Sequence, residues 1–311
     1  MIYAVTCNIC FFIAILILTP SCTHKRDIDK ATLCITKSQC PNYVLSTPPP
    51  LTVWIHGTVL FRKPPYYDTF HKKSSLKHVT SFPDDHRFRR IANTITTHDP
   101  EHFSTDEFYI FCWSGKLSSR ERKKVAEQLY RDLIEHIEQY QKKYGQYPII
   151  RIIAHSHGGN VALHMAKIHT PEGTPPITVH SLILLACPVQ EKTMHLIATP
   201  LFKHVYSLYS SFDFIQVLAP QLRHKETKKS RKRYRFPAFS SRLFPQHPSL
   251  TQAKIKINGY PITHTYFSQQ AFVELLPDIL QKLDSWDADT LAKEPERHRP
   301  YKYKLLCVRT V

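Results

Sequence analysis

Ser156 stands where a strand-like run gives way to a helical one, in Ile152-Ile153-Ala154-His155-Ser156-His157-Gly158-Gly159-Asn160-Val161-Ala162-Leu163. A serine placed in a sharp strand-to-helix turn presents its hydroxyl for attack on an electrophile. The turn demands small residues two before and two after the serine, because the backbone is strained and neighbouring elements crowd it. Ala154 and Gly158 meet that demand. A serine hydroxyl is a poor nucleophile until a histidine removes its proton, and that histidine needs a carboxylate to fix its tautomer and stabilise the imidazolium. The implied chemistry is covalent acyl transfer. The competing reading of Ser156 is a plain helix N-cap.

Elements able to hold such a site recur along the chain. LTVWIHG, EFYIFCW, YPIIRIIAHS, VHSLILLACP, KHVYSLYSS and AKIKING are short runs rich in β-branched and aromatic residues, which predict strands. Helical patterns separate several of them. The clearest spans Ser118 to Tyr144, with Val125, Leu129, Leu133 and Ile137 on one face, Gly145 as its stop and Pro148 opening the next strand. Strand, helix and strand in this order predict a mostly parallel sheet with right-handed crossovers and helices on its flanks.

Residues 51–285 resemble an α/β-hydrolase of the lipase and esterase type. The turn His155-Ser156-His157-Gly158-Gly159 is similar to the HSxGG of many lipases, with alanine rather than the usual glycine two before the serine. Trp54-Ile55-His56-Gly57-Thr58 is similar to the strand and His-Gly loop that supply oxyanion amides. The resemblance implies a chain order of serine, acid and histidine, with the acid after a later strand and the histidine after the last one. Asp213, just past HVYSLY, fits the acid; Asp278, Asp284, Asp287 and Asp289 fall in helical or peripheral texture. His264, after AKIKI and before the final helix, fits the base. Their competing readings are a turn or cap carboxylate and one more of 19 histidines. By the same resemblance, the amides of His157 and of Thr58, or its neighbour Val59, would hold the oxyanion. His155 and His157 flank the serine with their rings directed away from it, and His56 is expected to brace the oxyanion loop.

The composition agrees with an enzyme-sized domain. The chain has 311 residues, 42% hydrophobic and 12% aromatic, enough to bury a sizeable core and to exclude disorder. There is no collagen repeat, no long heptad run and only one continuous apolar stretch. The histidines form neither HExxH nor a matched Cys and His set, so a metallohydrolase is set aside, and no cofactor is expected. Of the eight cysteines, Cys112 and Cys187 end apolar runs as buried thiols, whereas Cys34 and Cys40 are spaced to close a small disulfide loop in an exported chain.

From the apolar run Ile9 to Leu18, residues 1–22 are expected to be an export signal or a membrane anchor, and the protein to be membrane-associated or exported. Residues 23–50, ending in Pro48-Pro49-Pro50, are expected as a linker, and residues 286–311 as a charged C-terminal tail. Residues 219–250 form a basic excursion or lid before the last strand. Between Arg223 and Arg235 it holds eight Lys or Arg against one Glu, a large share of the formal charge of +17. That stretch is either a contact for anionic lipid or nucleic acid, or a solvated loop. The expected substrate is an ester or lipid and the expected surface an anionic membrane, with nucleic acid the less favoured partner. A non-catalytic protein of the same fold, binding through the basic segment, is the alternative.

Overall fold

The computed structural model describes residues 29–35, 48–59, 73–168, 177–219, 240–293 and 304–310. Among the described residues ten strands form one sheet: β1 (Asp29–Ile35), β2 (Leu51–Ile55), β3 (Ser75–His78), β4 (Phe108–Cys112), β5 (Ile150–His155), β6 (Val179–Leu185), β7 (Phe202–Tyr209), β8 (Leu250–Ile257), β9 (Tyr260–Pro261) and β10 (Lys304–Thr310). The described helices are α1 (Arg87–His98), α2 (Ser119–Tyr144), α3 (His157–His164), α4 (Glu191–Met194), α5 (Phe214–Leu218), α6 (Gln270–Val273) and α7 (Leu276–Lys293).

The strand order is β1-β10-β8-β7-β6-β5-β2-β4-β3, with β9 added to β8. Pairing is parallel except at β3–β4 and β8–β9. From β5 onward, successive strands through β8 step one way, whereas β4 and β3 lie on the other side of β2. The chain direction across the sheet thus reverses at the neighbours β2 and β5, and a crevice opens beyond the carboxyl ends of such a pair.

Side chains alternate across this sheet with period two. Leu51, Val53 and Ile55 of β2, with Ile152 and Leu184, join Val125, Leu129, Leu133 and Ile137 of α2 in one core layer. Trp54, Ile153, Ile183 and Leu185 point the other way and pack with Ile91 and Ile95 of α1 and Leu276, Ile279 and Leu283 of α7. The architecture is α/β, a mostly parallel sheet flanked by helices on both faces, as the strand and helix texture predicts. Each fully buried leucine or isoleucine contributes about 1.5–3 kcal/mol, so the central strands are fixed on both sides. Helix α2 has the expected limits: the Ser118 hydroxyl accepts the Glu121 amide at 3.3 Å, and Gly145 ends the helix with φ +73°.

Two expectations for the chain ends are corrected. Residues 29–35 of the expected linker form β1, and residues 304–310 of the expected tail form β10, which pairs with both β1 and β8. Leu306 and Val308 of β10 enter the second core layer, which is what draws the segment into the sheet. AKIKI, within β8, is therefore not the last strand, and the basic excursion precedes β8 and not the final element. Residues 1–22 and 220–239, including the whole Arg223–Arg235 run, lie outside the described residues. Among the described residues, no helix is long and apolar enough to cross a membrane.

Candidate active site

Strand β5 ends at His155 and α3 begins at His157, so Ser156 alone makes the turn. Its backbone has φ +54° and ψ −132°, a conformation rarely occupied by a residue with a β-carbon. Packing holds it there. The Ser156 amide donates to Leu185 O at 2.8 Å, and Ser156 O accepts the Gly159 amide at 3.0 Å. A β-carbon on Gly158 would stand 2.6 Å from the carbonyl oxygens of Ile55 and His56, and one on Gly57 would stand 2.7 Å from Ser156 Cβ. The two glycines let β2 and its loop close directly onto the turn.

The structure brings Ser156, His264 and Asp213 together. The Ser156 hydroxyl lies 2.9 Å from His264 Nε2, and His264 Nδ1 lies 2.7 Å from Asp213 Oδ2. Each comes from the carboxyl-end side of a different strand: Ser156 after β5, Asp213 after β7, and His264 after the β8–β9 hairpin, which turns through Asn258 (φ +50°) and Gly259 (φ +84°). All three are buried, Asp213 completely. The free oxygen of Asp213 is also occupied, since Oδ1 accepts the Gln216 amide at 2.8 Å and caps α5. With a carboxylate on one ring nitrogen, His264 carries its proton on Nδ1 and donates it to Asp213. Nε2 is then the acceptor for the serine O–H. The arrangement can take a proton from Ser156 and return it to a leaving group without either residue moving far.

The flanking histidines do other work. His155 does not touch the serine. Its Nε2–H donates to the main-chain oxygen of His264 at 3.1 Å, and the two rings pack at 5.0 Å. Burial, then the neighbouring His264, pull His155 down to about 3, so it stays neutral. His56 is the brace expected of it: its ring stacks between Phe88 and Trp113, and its carbonyl accepts the Trp113 indole N–H at 2.9 Å.

Of the two neighbouring amides expected to face an oxyanion, those of Thr58 and Val59, one is already engaged. The Val59 amide donates to Gly115 O at 3.0 Å, so it has no proton left for a ligand. Val59 is thereby set aside in favour of Thr58, whose own hydroxyl oxygen is buried without a partner. His157 opens α3, where the first-turn amides have no intrahelical acceptor. The Thr58 and His157 amides therefore belong to two segments that meet at Ser156.

Sequence reasoning missed Arg122. Its side chain is 1% exposed; Nη2 donates to Gln190 Oε1 at 3.0 Å, while Nε and Nη1 have no partner. Burial drops the guanidinium to about 10, and its charge helps hold His157 near 3. The signal was available: Arg122 lies three residues before Val125 and seven before Leu129, on the apolar face of α2. Asn160 was also missed. It ties α3 to the chain after β6, donating to Pro188 O at 3.0 Å and accepting from the Thr193 hydroxyl at 2.6 Å. Cys112 and Cys187 are buried thiols, as expected. Among the described residues no group of three or more His, Cys, Asp or Glu is placed to hold a metal ion.

No protein-family model matches the chain, and no curated protein does. Among solved structures it is similar to the crystal structure of esterase PE8, at 12% identity and a TM-score of 0.32, over 54% of this chain and 72% of that one.

Proposed function

We propose that the protein is a serine hydrolase that cleaves carboxylic esters through an acyl-enzyme intermediate. The observation that carries the reading is the continuous hydrogen-bonded line from the Ser156 hydroxyl through His264 to the buried Asp213 carboxylate. Ser156 Oγ attacks the ester carbonyl as His264 Nε2 takes its proton. Asp213 stabilises the resulting imidazolium, and the amides of His157 and Thr58 receive the negative charge on the carbonyl oxygen. His264 then protonates the departing alcohol, and the same ring activates the water that releases the acid.

An apolar acyl group is the proposed half of the substrate. Phe212, Phe214, Ile215 and Leu218 are between 44% and 52% exposed on the loop and helix that carry Asp213. Large side chains left in water this way, on consecutive turns beside a reactive site, suit a lipid chain better than a polar substrate. The apolar N-terminal run and the basic segment are proposed to keep the enzyme at an anionic membrane. Turnover of p-nitrophenyl esters of increasing acyl length by the full chain tests the reading. Hydrolysis that improves with chain length is expected, and a folded sample that turns over none of the series would overturn it.

A further inference from the structure

Beside the loop that carries Asp213, away from Ser156, lies a cavity of about 350 Å³ lined by Tyr209, Ser211, Ser240, Ser241, Arg242 and Lys254. Two cations face one space, and among the described residues neither forms an ion pair. Among the described residues the Arg242 guanidinium has one hydrogen-bond partner, Asp213 O, which accepts from Nη2 at 2.8 Å; its Nε–H is buried and has none. Burial lowers the pKa values of both groups. The Asp213 carboxylate, turned toward His264, raises that of Arg242, whereas Lys256 and Arg242 lower that of Lys254 further. The hydroxyl protons of Ser240 and Ser241 are committed to Ala219 O and Leu243 O, which leaves the Arg242 guanidinium, the Lys254 ammonium and the Ser211 hydroxyl as donors.

We propose that this cavity is a binding site for a phosphate group, held by Arg242, Lys254 and Ser211. Two half-buried positive charges beside one space, with the Asp213 carboxylate turned toward His264 and no ion pair to either among the described residues, are costly, and an oxyanion with several acceptor oxygens would relieve both. Phosphate suits a fork from arginine and a point charge from lysine, in a space large enough for a headgroup. Its source is either free phosphate or a lipid headgroup. The exposed Phe212, Phe214, Ile215 and Leu218 flank the same loop, where an acyl chain attached to that headgroup could lie. The inference is separate from ester hydrolysis, because binding can be read without turnover.

The test is calorimetric titration of the full-length protein with inorganic phosphate, and flotation with vesicles of phosphatidylcholine alone or mixed with phosphatidic acid. Wild type is compared with Arg242→Gln, Lys254→Gln and, as a control, Lys203→Gln at the exposed, opposite end of β7. Saturable phosphate binding weakened about tenfold by Lys254→Gln, with Lys203→Gln unchanged, supports the site with free phosphate as a sufficient ligand. Binding only to phosphatidic acid vesicles, weakened the same way, supports it with a lipid source. Among the described residues the Lys254 side chain makes no hydrogen bond, so Lys254→Gln decides the matter even if Arg242→Gln disturbs the Asp213 loop. No saturable binding of either probe, or equal loss with Lys203→Gln, would overturn the proposal.

Discussion

His155 Nε2–H donates to the main-chain oxygen of His264 across 3.1 Å, so the residue before the serine fixes the backbone of the residue that faces it. The bond links the end of β5 to the turn after β9, two segments with no ladder between them. It holds His264 by its backbone, while Asp213 holds it by its ring.

His155 is accordingly a positioning residue. His155→Phe keeps the ring contact and removes the donor, and kcat is expected to fall about 10–100-fold with KM little changed. His155→Gln, which restores an N–H donor, should recover much of the loss. Because burial keeps His155 neutral above about pH 4, the pH–rate profile of His155→Gln should keep the wild-type shape. A fall in kcat/KM carried entirely by KM would point to substrate contact instead.

Asp213→Asn should leave the α5 cap in place, because the side-chain amide oxygen can still accept the Gln216 amide. It removes the charge that selects the His264 tautomer. A loss in kcat on the order of 10⁴-fold is expected, with the circular dichroism spectrum unchanged. Activity within tenfold of wild type would mean that Asp213 only caps the helix.

Acid should weaken the fold before it reaches most carboxylates. His157 and His164 are buried and held at about 3 and about 4, chiefly by burial and then by Arg122. Unfolded histidine titrates near 6.5, so between about pH 6.5 and 4 the unfolded chain binds more protons than the folded one, and stability falls as pH falls through that window. Each histidine steepens the slope by up to about 1.4 kcal/mol per pH unit, and their contribution is fully present above about pH 6.5. Urea midpoints measured from pH 7 down to 4 should show this decline. His164→Leu should flatten it, since His164 Nδ1 has no partner to orphan.

Gly158→Ala and Gly145→Ala separate crowding from backbone conformation. At Gly158 the new methyl meets two main-chain oxygens at 2.6 Å, from a strand buried on both faces. Neither can yield, and a loss of about 3 kcal/mol or more is expected together with loss of activity. At Gly145 nothing lies within 4 Å, so only the φ of +73° is strained, and the cost should be about 1 kcal/mol with activity intact. Denaturant melts of the two variants give the comparison.

The central strands, α2 and the three residues of the hydrogen-bonded line are legible in the sequence for a common reason. Strands buried on both faces read as continuous apolar runs, Ser156 and Asp213 stand just after two of them, and His264 follows the hairpin that closes the alternating run AKIKI. What escapes notice depends on contacts between distant segments. β1 and β10 lie in polar or charged surroundings and are made strands by pairing with each other across nearly the whole chain. Val59 and Thr58 look alike as amide donors until Gly115 is seen to occupy one of them. Arg242 and Lys254 come to one cavity only because the segment before β8 folds back onto the loop after β7, where Arg242 reaches Asp213 O.

Whether Ser156 is an activated nucleophile is measured most directly by fluorophosphonate labelling of the purified chain beside Ser156→Ala, with peptide mapping of the adduct. Stoichiometric labelling on Ser156 is expected, abolished in the variant, together with a loss of ester turnover of about 10⁴-fold or more. Labelling that survives in Ser156→Ala, or a folded wild-type protein that takes up no label, would contradict that role for Ser156.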